Sequence, residues 1–211
     1  MNRFVYFLKQ GVVAIIDFLF PPNQFVLELR KLSPADFLKK YRDAAQFSIF
    51  SYKNPLVREL IWQIKYKKDK HAVEIAAYAL YNELKFRYPH GATLIPISIS
   101  KNRRKERGYN QCELLIDEII KLDTEKETGG KFVKNFNLLF RIKDIEKQTL
   151  KNRSERLVNV KNIFEVRNKI QIENNIIIID DVTTTGSTLN EAKKTLIEAG
   201  YLDVECLTIA Y

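Results

Sequence analysis

Cysteine is scarce in this chain: Cys112 and Cys206 are the only two in 211 residues. No disulfide framework and no metal-binding cysteine pair can be drawn from them, so both thiols read as small apolar core groups of a protein kept in a reducing cytoplasm. Histidine is as rare, and His71 and His90 are too isolated for metal-ligand spacing. Seven glycines and six prolines leave no room for long low-complexity segments, and no internal repeat is visible. Long apolar runs are missing too. The segment "MNRFVYFLKQGVVAIIDFLFPP" opens like a signal peptide. Lys9, Gln10 and Asp17 interrupt it, its uncharged runs fall short of the roughly 18 residues a spanning helix needs, and no small-residue cleavage site follows. It reads as an amphipathic helix over residues 4–20, packed on the body and stopped by Pro21 and Pro22, with no membrane span.

What is present is charge of one sign. The 35 basic and 26 acidic residues give a net charge of +9. A basic surface suits anionic partners: nucleic acid, phosphorylated small molecules or a membrane face. It also serves plain solubility. The hydrophobic content of 45 % supports one globular domain, with at most a small appendage.

Along the chain, "SPADFLKKYRD" (33–43) carries a helix start, with Ser33 as N-cap and Pro34 in the first turn. "FSIFSY" (47–52) reads as a strand. Residues 54–66 and 71–86 have apolar residues at helical spacing. "ATLIPISIS" (92–100) reads as a buried strand ending in a loop. A basic stretch follows, read as part of that loop, and then a helix from about Gln111 to Leu122. Residues 135–142 and 162–166 read as strands, and 144–159 as polar and partly helical. The last three elements are a strand "IIIID", a helix over 188–199 ended by Gly200, and a strand over 203–211. Strands alternating with helices imply an α/β fold with a mostly parallel sheet flanked by helices. The unbroken isoleucines support it, because strands buried on both faces lose the in-out alternation. The division implied is a helical N-terminal region, 1–46, before an α/β domain, 47–211.

The most informative stretch is "IIIIDDVTTTGSTL" (176–189). Ligands of parallel α/β sheets bind at the carboxyl ends of strands, where Asp180 and Asp181 fall. The loop after them precedes a helix. Its backbone N–H groups can hold a phosphate, Gly186 lets the backbone come close, and Thr184, Thr185, Ser187 and Thr188 add hydroxyls. A nucleotide P-loop would need a second glycine and a lysine, and a dinucleotide fold would need GxGxxG. An aspartyl phosphatase spaces its acids one residue apart. The plain structural reading is a strand end whose loop caps a helix.

The stretch is similar to the phosphoribosyl pyrophosphate (PRPP) motif of type I phosphoribosyltransferases. That resemblance implies 5′-phosphate binding by Thr184, Thr185, Gly186, Ser187 and Thr188. It implies that Asp180 and Asp181 act at the catalytic centre, holding the ribose hydroxyls and supporting Mg²⁺ directly or through water.

Within that superfamily, "LIPISISKNRRKERGYNQCELL" (94–115), "RIKDIEKQTLKNRSERLVNVKNIFEV" (141–166) and "YKNPLVRELIWQIKYKKDKHAVEIAAYA" (52–79) resemble the ComF family, the competence-protein or GntX-like family. By that resemblance Ile97 and Ser98 begin a pyrophosphate loop, with Lys101, Arg103, Arg104 and Arg107 to neutralise it. Arg141, Gln148, Arg156 and Asn159 match the family's second segment without a readable role. "LFPP" (19–22) resembles the family's start, where a four-cysteine zinc ribbon usually follows. No cysteine stands there, so no zinc site is expected.

The function so implied is Mg²⁺-dependent displacement of pyrophosphate from PRPP by an unidentified acceptor, linked to DNA uptake. Two alternatives stay open. One is a non-enzymatic PRPP sensor or single-stranded-DNA-binding protein, to which Trp62, Lys65, Tyr66, Lys67 and Lys68 would contribute. The other is nucleobase salvage, which Thr184 argues against, because some purine transferases carry an acidic base at that position. The oligomeric state is open, a homodimer included.

Overall fold

The computed structural model describes residues 23–45, 47–126, 130–143 and 162–211. The expected helix at 4–20 and the polar stretch at 144–159 therefore lie outside the described residues, as do Gln148, Arg156 and Asn159. In chain order the elements are α1 (Gln24–Lys31), α2 (Pro34–Tyr41), β1 (Arg42–Ala45), β2 (Ser48–Phe50) and α3 (Pro55–Trp62). A π-helical turn (Gln63–Lys67) continues α3. Then come α4 (Lys70–Arg87), β3 (Thr93–Pro96), α5 (Lys101–Arg107), α6 (Gln111–Lys126), β4 (Val133–Lys134), β5 (Leu139–Arg141), β6 (Phe164–Val166), β7 (Ile176–Val182), α7 (Ser187–Glu198) and β8 (Val204–Ala210).

Six strands form one sheet in the order β1-β2-β8-β7-β3-β4. Only the β1–β2 pair at one edge is antiparallel; β2–β8, β8–β7, β7–β3 and β3–β4 all run parallel. β5 and β6 make a separate antiparallel ribbon. This is the mixed α/β architecture with a mostly parallel central sheet that the alternation of strands and helices implies.

β7 is central because its isoleucines serve both faces. Ile177 and Ile179 join a large core with Leu60 and Ile61 of α3, Leu80 of α4, and Leu115 and Ile119 of α6. Ile176 and Ile178 join a second core with Leu189 and Leu196 of α7 and Phe164 of the ribbon. Period-2 geometry sends alternate side chains to opposite faces, so a strand apolar at every position must be covered on both. Phe37 of α2 and Leu29 of α1 belong to the large core as well.

The helix starts follow local chemistry. Ser33 Oγ accepts from the Asp36 N–H, Asn54 Oδ1 from Leu56 and Val57, Asp69 from Ala72, and Ser100 Oγ from Arg103. The last of these corrects one expectation. The basic stretch after β3 is not all loop: Ile97–Ser100 before it and Gly108–Asn110 at its end are non-helical, but Lys101–Arg107 form a helix. Ser100 caps it, and Gly108, at φ 79°, ends it in the left-handed conformation that costs glycine nothing.

Candidate active site

β3 and β7 lie side by side in register, Pro96 opposite Ile179, with the Ile97 N–H donating to Ile179 O at 2.9 Å. Their carboxyl ends therefore open at the same level. A cleft of about 340 Å³ lies there. One wall is Asp180, Asp181 and Val182 of β7 with Thr188 of α7. The other is Ile97–Ser100 after β3, with Arg103 and Arg107 of α5. Lys65 from the π-helical turn, Gln111 from α6 and Arg141 from β5 complete it.

The two acids are adjacent but differently held. Asp181 is buried, and its Oδ2 takes both Lys65 Nζ at 3.0 Å and Gln111 Nε2 at 3.0 Å. Gln111 is oriented in turn by Arg107 Nη1, which donates to its Oε1 at 3.0 Å. Asp180 points to the opposite face of the strand. Its Oδ1 accepts from the Asp181 N–H at 2.8 Å and faces Cys112 Sγ at 3.7 Å.

Asp180 is partly exposed as a residue, yet its carboxyl sits among protein atoms. Desolvation first, and then the neighbouring Asp181 charge, push its pKa up to about 8, against the lowering effects of the Asp181 N–H and of Lys65. The Cys112 thiol beneath it is raised well above the usual thiol range, by burial and then by the same two acids. Neither Cys112 nor Cys206 is therefore primed as a thiolate.

The loop after the acids is open. Thr184 and Thr185 are exposed. Gly186 occupies the N-cap of α7 at φ 72° and has no side chain to cap it; the Thr185 hydroxyl accepts from the Ser187 N–H at a long 3.5 Å. Thr185 Oγ1 and Ser187 Oγ are 2.8 Å apart. The unsatisfied first-turn N–H groups and the helix dipole make such an end attractive to an anion.

The expected pyrophosphate residues divide. Ile97, Ser98, Arg103 and Arg107 line the cleft. Lys101 is exposed and outside the lining, and Arg104 forms a two-bond pair with Glu113, both bonds at 2.8 Å. Asn110 is buried, with its Nδ2 donating to Ile97 O and its Oδ1 accepting from the Cys112 N–H, so it ties the β3 loop to the start of α6. Lys65 is the residue that sequence spacing placed elsewhere. It reads with its neighbours as part of an exposed basic-aromatic run, but it turns inward to Asp181. No local pattern signals this, because the partner lies on a distant strand. Among the described residues no helix is long and apolar enough to cross a membrane.

A parallel sheet whose acid pair and helix-capping loop meet a basic wall at the strand ends has the architecture of a phosphoribosyltransferase-like α/β protein. No family model matches the chain. It is 31 % identical over 154 residues to competence protein ComFC of Bacillus subtilis, covering 72 % of this chain and 58 % of that protein. It is 30 % identical over 162 residues to ComFC of Streptococcus pneumoniae, covering 77 % and 66 %. It is 31 % identical over 121 residues to competence protein F of Haemophilus influenzae, covering 56 % and 49 %. The chain belongs to the ComF family. It spans about half to two thirds of the length of these relatives.

Proposed function

We propose that the cleft binds PRPP and, with Mg²⁺, serves the displacement of its pyrophosphate by an acceptor in a competence-related process. One observation carries the reading: a pair of acids and Thr188 in the first turn of α7 share one cleft with three arginines and a lysine. A phosphorylated sugar needs both kinds of wall. The 5′-phosphate is assigned to the α7 start, at Thr184, Thr185, Gly186, Ser187 and Thr188, of which Thr188 lines the cleft and the others lie outside the lining. The vicinal hydroxyls fit Asp180 and Asp181, because carboxylates accept two hydrogen bonds from a diol. The pyrophosphate fits the Ile97–Ser98 loop with Arg103 and Arg107, whose charge favours its departure. Arg104, committed to Glu113, and Lys101, outside the lining, contribute only to the general field. The competence link rests on the names of the relatives.

In the transfer, the bond from the anomeric carbon to pyrophosphate breaks and its electron pair leaves with pyrophosphate. The acceptor's lone pair forms the new bond, and its proton passes to water. Thr184 offers no base for it. An acid at the cleft also steadies the positive charge that develops on the sugar. Hard cations prefer oxygen ligands, and the two acids can meet that preference once Asp180, raised to about 8, gives up its proton, although Asp181 Oδ2 already has two partners. When bound, Mg²⁺ supplies charge neutralisation to the diphosphate.

A second reading has one supporting observation. Trp62 and Tyr66 are exposed with ring centroids 5.7 Å apart, and Lys67 Nζ lies 5.3 Å from the Trp62 centroid. Such a platform suits stacked bases of a single strand. A pyrophosphate-release screen over nucleobases, amines and single-stranded DNA separates the two. Release that needs one acceptor and disappears in an Asp180→Asn/Asp181→Asn variant supports transfer. Salt-sensitive strand binding with no release by any acceptor supports the second reading.

A further inference from the structure

A single π-helical turn breaks regular i→i−4 hydrogen bonding, and such turns recur where a side chain has to be aimed. Here the turn Gln63–Lys67 ends on Lys68 at φ 51°, with the Lys68 and Asp69 N–H groups both donating to Gln63 O. It is held from outside as well. Tyr109 OH donates to Ile64 O at 2.8 Å, the Arg107 guanidinium stacks 5.0 Å from the Tyr66 ring centroid, and Lys68 Nζ lies 5.4 Å from that of Tyr109. All these contacts come from the α5–α6 junction, which also sends Gln111 to Asp181. The outcome is that Lys65, with 22 % of its side chain exposed, places its ammonium 3.0 Å from the buried Asp181 carboxylate.

We propose that Lys65 is a tethered cation. Its ammonium fills the place at the acid pair that a divalent metal would otherwise take. The free protein therefore holds no divalent ion there, whether or not the cleft binds PRPP.

Three observations support the assignment. The cleft brings two carboxylates together, and among the described residues no group of three or more metal-ligating His, Cys, Asp or Glu side chains occurs. A divalent ion at Asp181 would sit beside an ammonium at close range, where like charges repel strongly. And the lysine ammonium already lies against one carboxylate oxygen of Asp181, where a cation would have to bind.

The test uses Mn²⁺ alone, titrated by calorimetry and by the paramagnetic signal of free Mn²⁺, with no PRPP present. Lys65→Met is expected to bind Mn²⁺ at least tenfold more tightly than the wild type. Lys65→Gln, which keeps a hydrogen bond to Asp181 without the charge, is expected to show the same gain and covers the case of a poorly folded Lys65→Met. Lys65→Arg is expected to behave as wild type. In Lys65→Met/Asp181→Asn the gain is expected to vanish. Wild type that binds Mn²⁺ as tightly as the neutral variants, or a gain that survives Asp181→Asn, overturns the proposal. Absence of PRPP binding would defeat the proposed function and leave these Mn²⁺ outcomes unchanged.

Discussion

The two walls of the cleft are built differently. The acid and threonine wall comes from one continuous stretch, β7 into α7, and its loop is open, with Thr184 and Thr185 exposed and a glycine at the N-cap of α7. The basic wall is assembled from α5, α6 and the π-helical turn, and is cross-linked throughout: Arg104 to Glu113, Arg107 to Gln111, Tyr109 to Ile64. Lys65 and Gln111 then join the second wall to the first at Asp181. The loop of the first wall stays exposed at Thr184 and Thr185, whereas the second wall is already organised. Rigid positioning of charge on one side limits the reorganisation needed when an anion arrives.

Several substitutions sharpen or break that contrast. The largest effect is expected at the junction. Asp181→Asn leaves Lys65 without its counter-charge and costs roughly 2 to 3 kcal/mol of stability, just under the cost of breaking a fully buried pair, because Lys65 keeps part of its solvation. A denaturant midpoint unchanged from wild type would mean that the pair does not join the walls.

Next is Arg107→Ala, which frees Gln111 and removes a cleft cation. A tenfold or greater loss of PRPP affinity is expected by calorimetry, about 1.4 kcal/mol. On the open wall, Gly186→Ala has space for its methyl group, the nearest atom being Asn190 Nδ2 at 3.7 Å. Only the left-handed backbone then opposes it, at about 1–2 kcal/mol. A larger loss of stability would show that the loop is packed rather than open.

A separate effect is expected with pH. Burial raises Asp180 in the folded state, so between the ordinary carboxylate range and about 8 the native form binds more protons than the unfolded chain. Stability from this group therefore falls as pH rises through that window. Asp180→Asn is expected to gain thermal stability over wild type progressively from pH 4 to pH 8. A difference that stays flat with pH would contradict the raised value. The smallest effect is expected at Arg104→Ala, which removes a half-exposed pair. Less than about 1 kcal/mol of stability and no change in PRPP affinity are expected. A large affinity loss there would return Arg104 to the binding wall.

The same contrast explains what was legible in the sequence. The acid wall is contiguous, so its strand, acid pair, glycine and helix start could be read in order, and the four isoleucines announced a strand covered on both faces. The caps at Ser33 and Asn54 also act over three or four residues. The basic wall depends on distant meetings. Nothing near Lys65 tells of Asp181, and the same lysine-rich run reads equally well as a solvated face. α5 escaped notice because seven residues with five basic side chains show no apolar periodicity; its signals, Ser100 before and Gly108 after, are at its ends. β1 and β4 are short edge strands, and pairing with β2 and β3 defines them more than their own residues do. The helix α1 rests on Leu29 packing into the large core.

The central claim, that the acid pair and the α7 loop form a PRPP site, is tested most directly by calorimetry with PRPP and Mg²⁺ on wild type and on Asp180→Asn/Asp181→Asn. The expected result is saturable binding by wild type and at least a hundredfold weaker binding by the folded double variant, about 2.7 kcal/mol. No binding by wild type, or undiminished binding by the double variant, would contradict it.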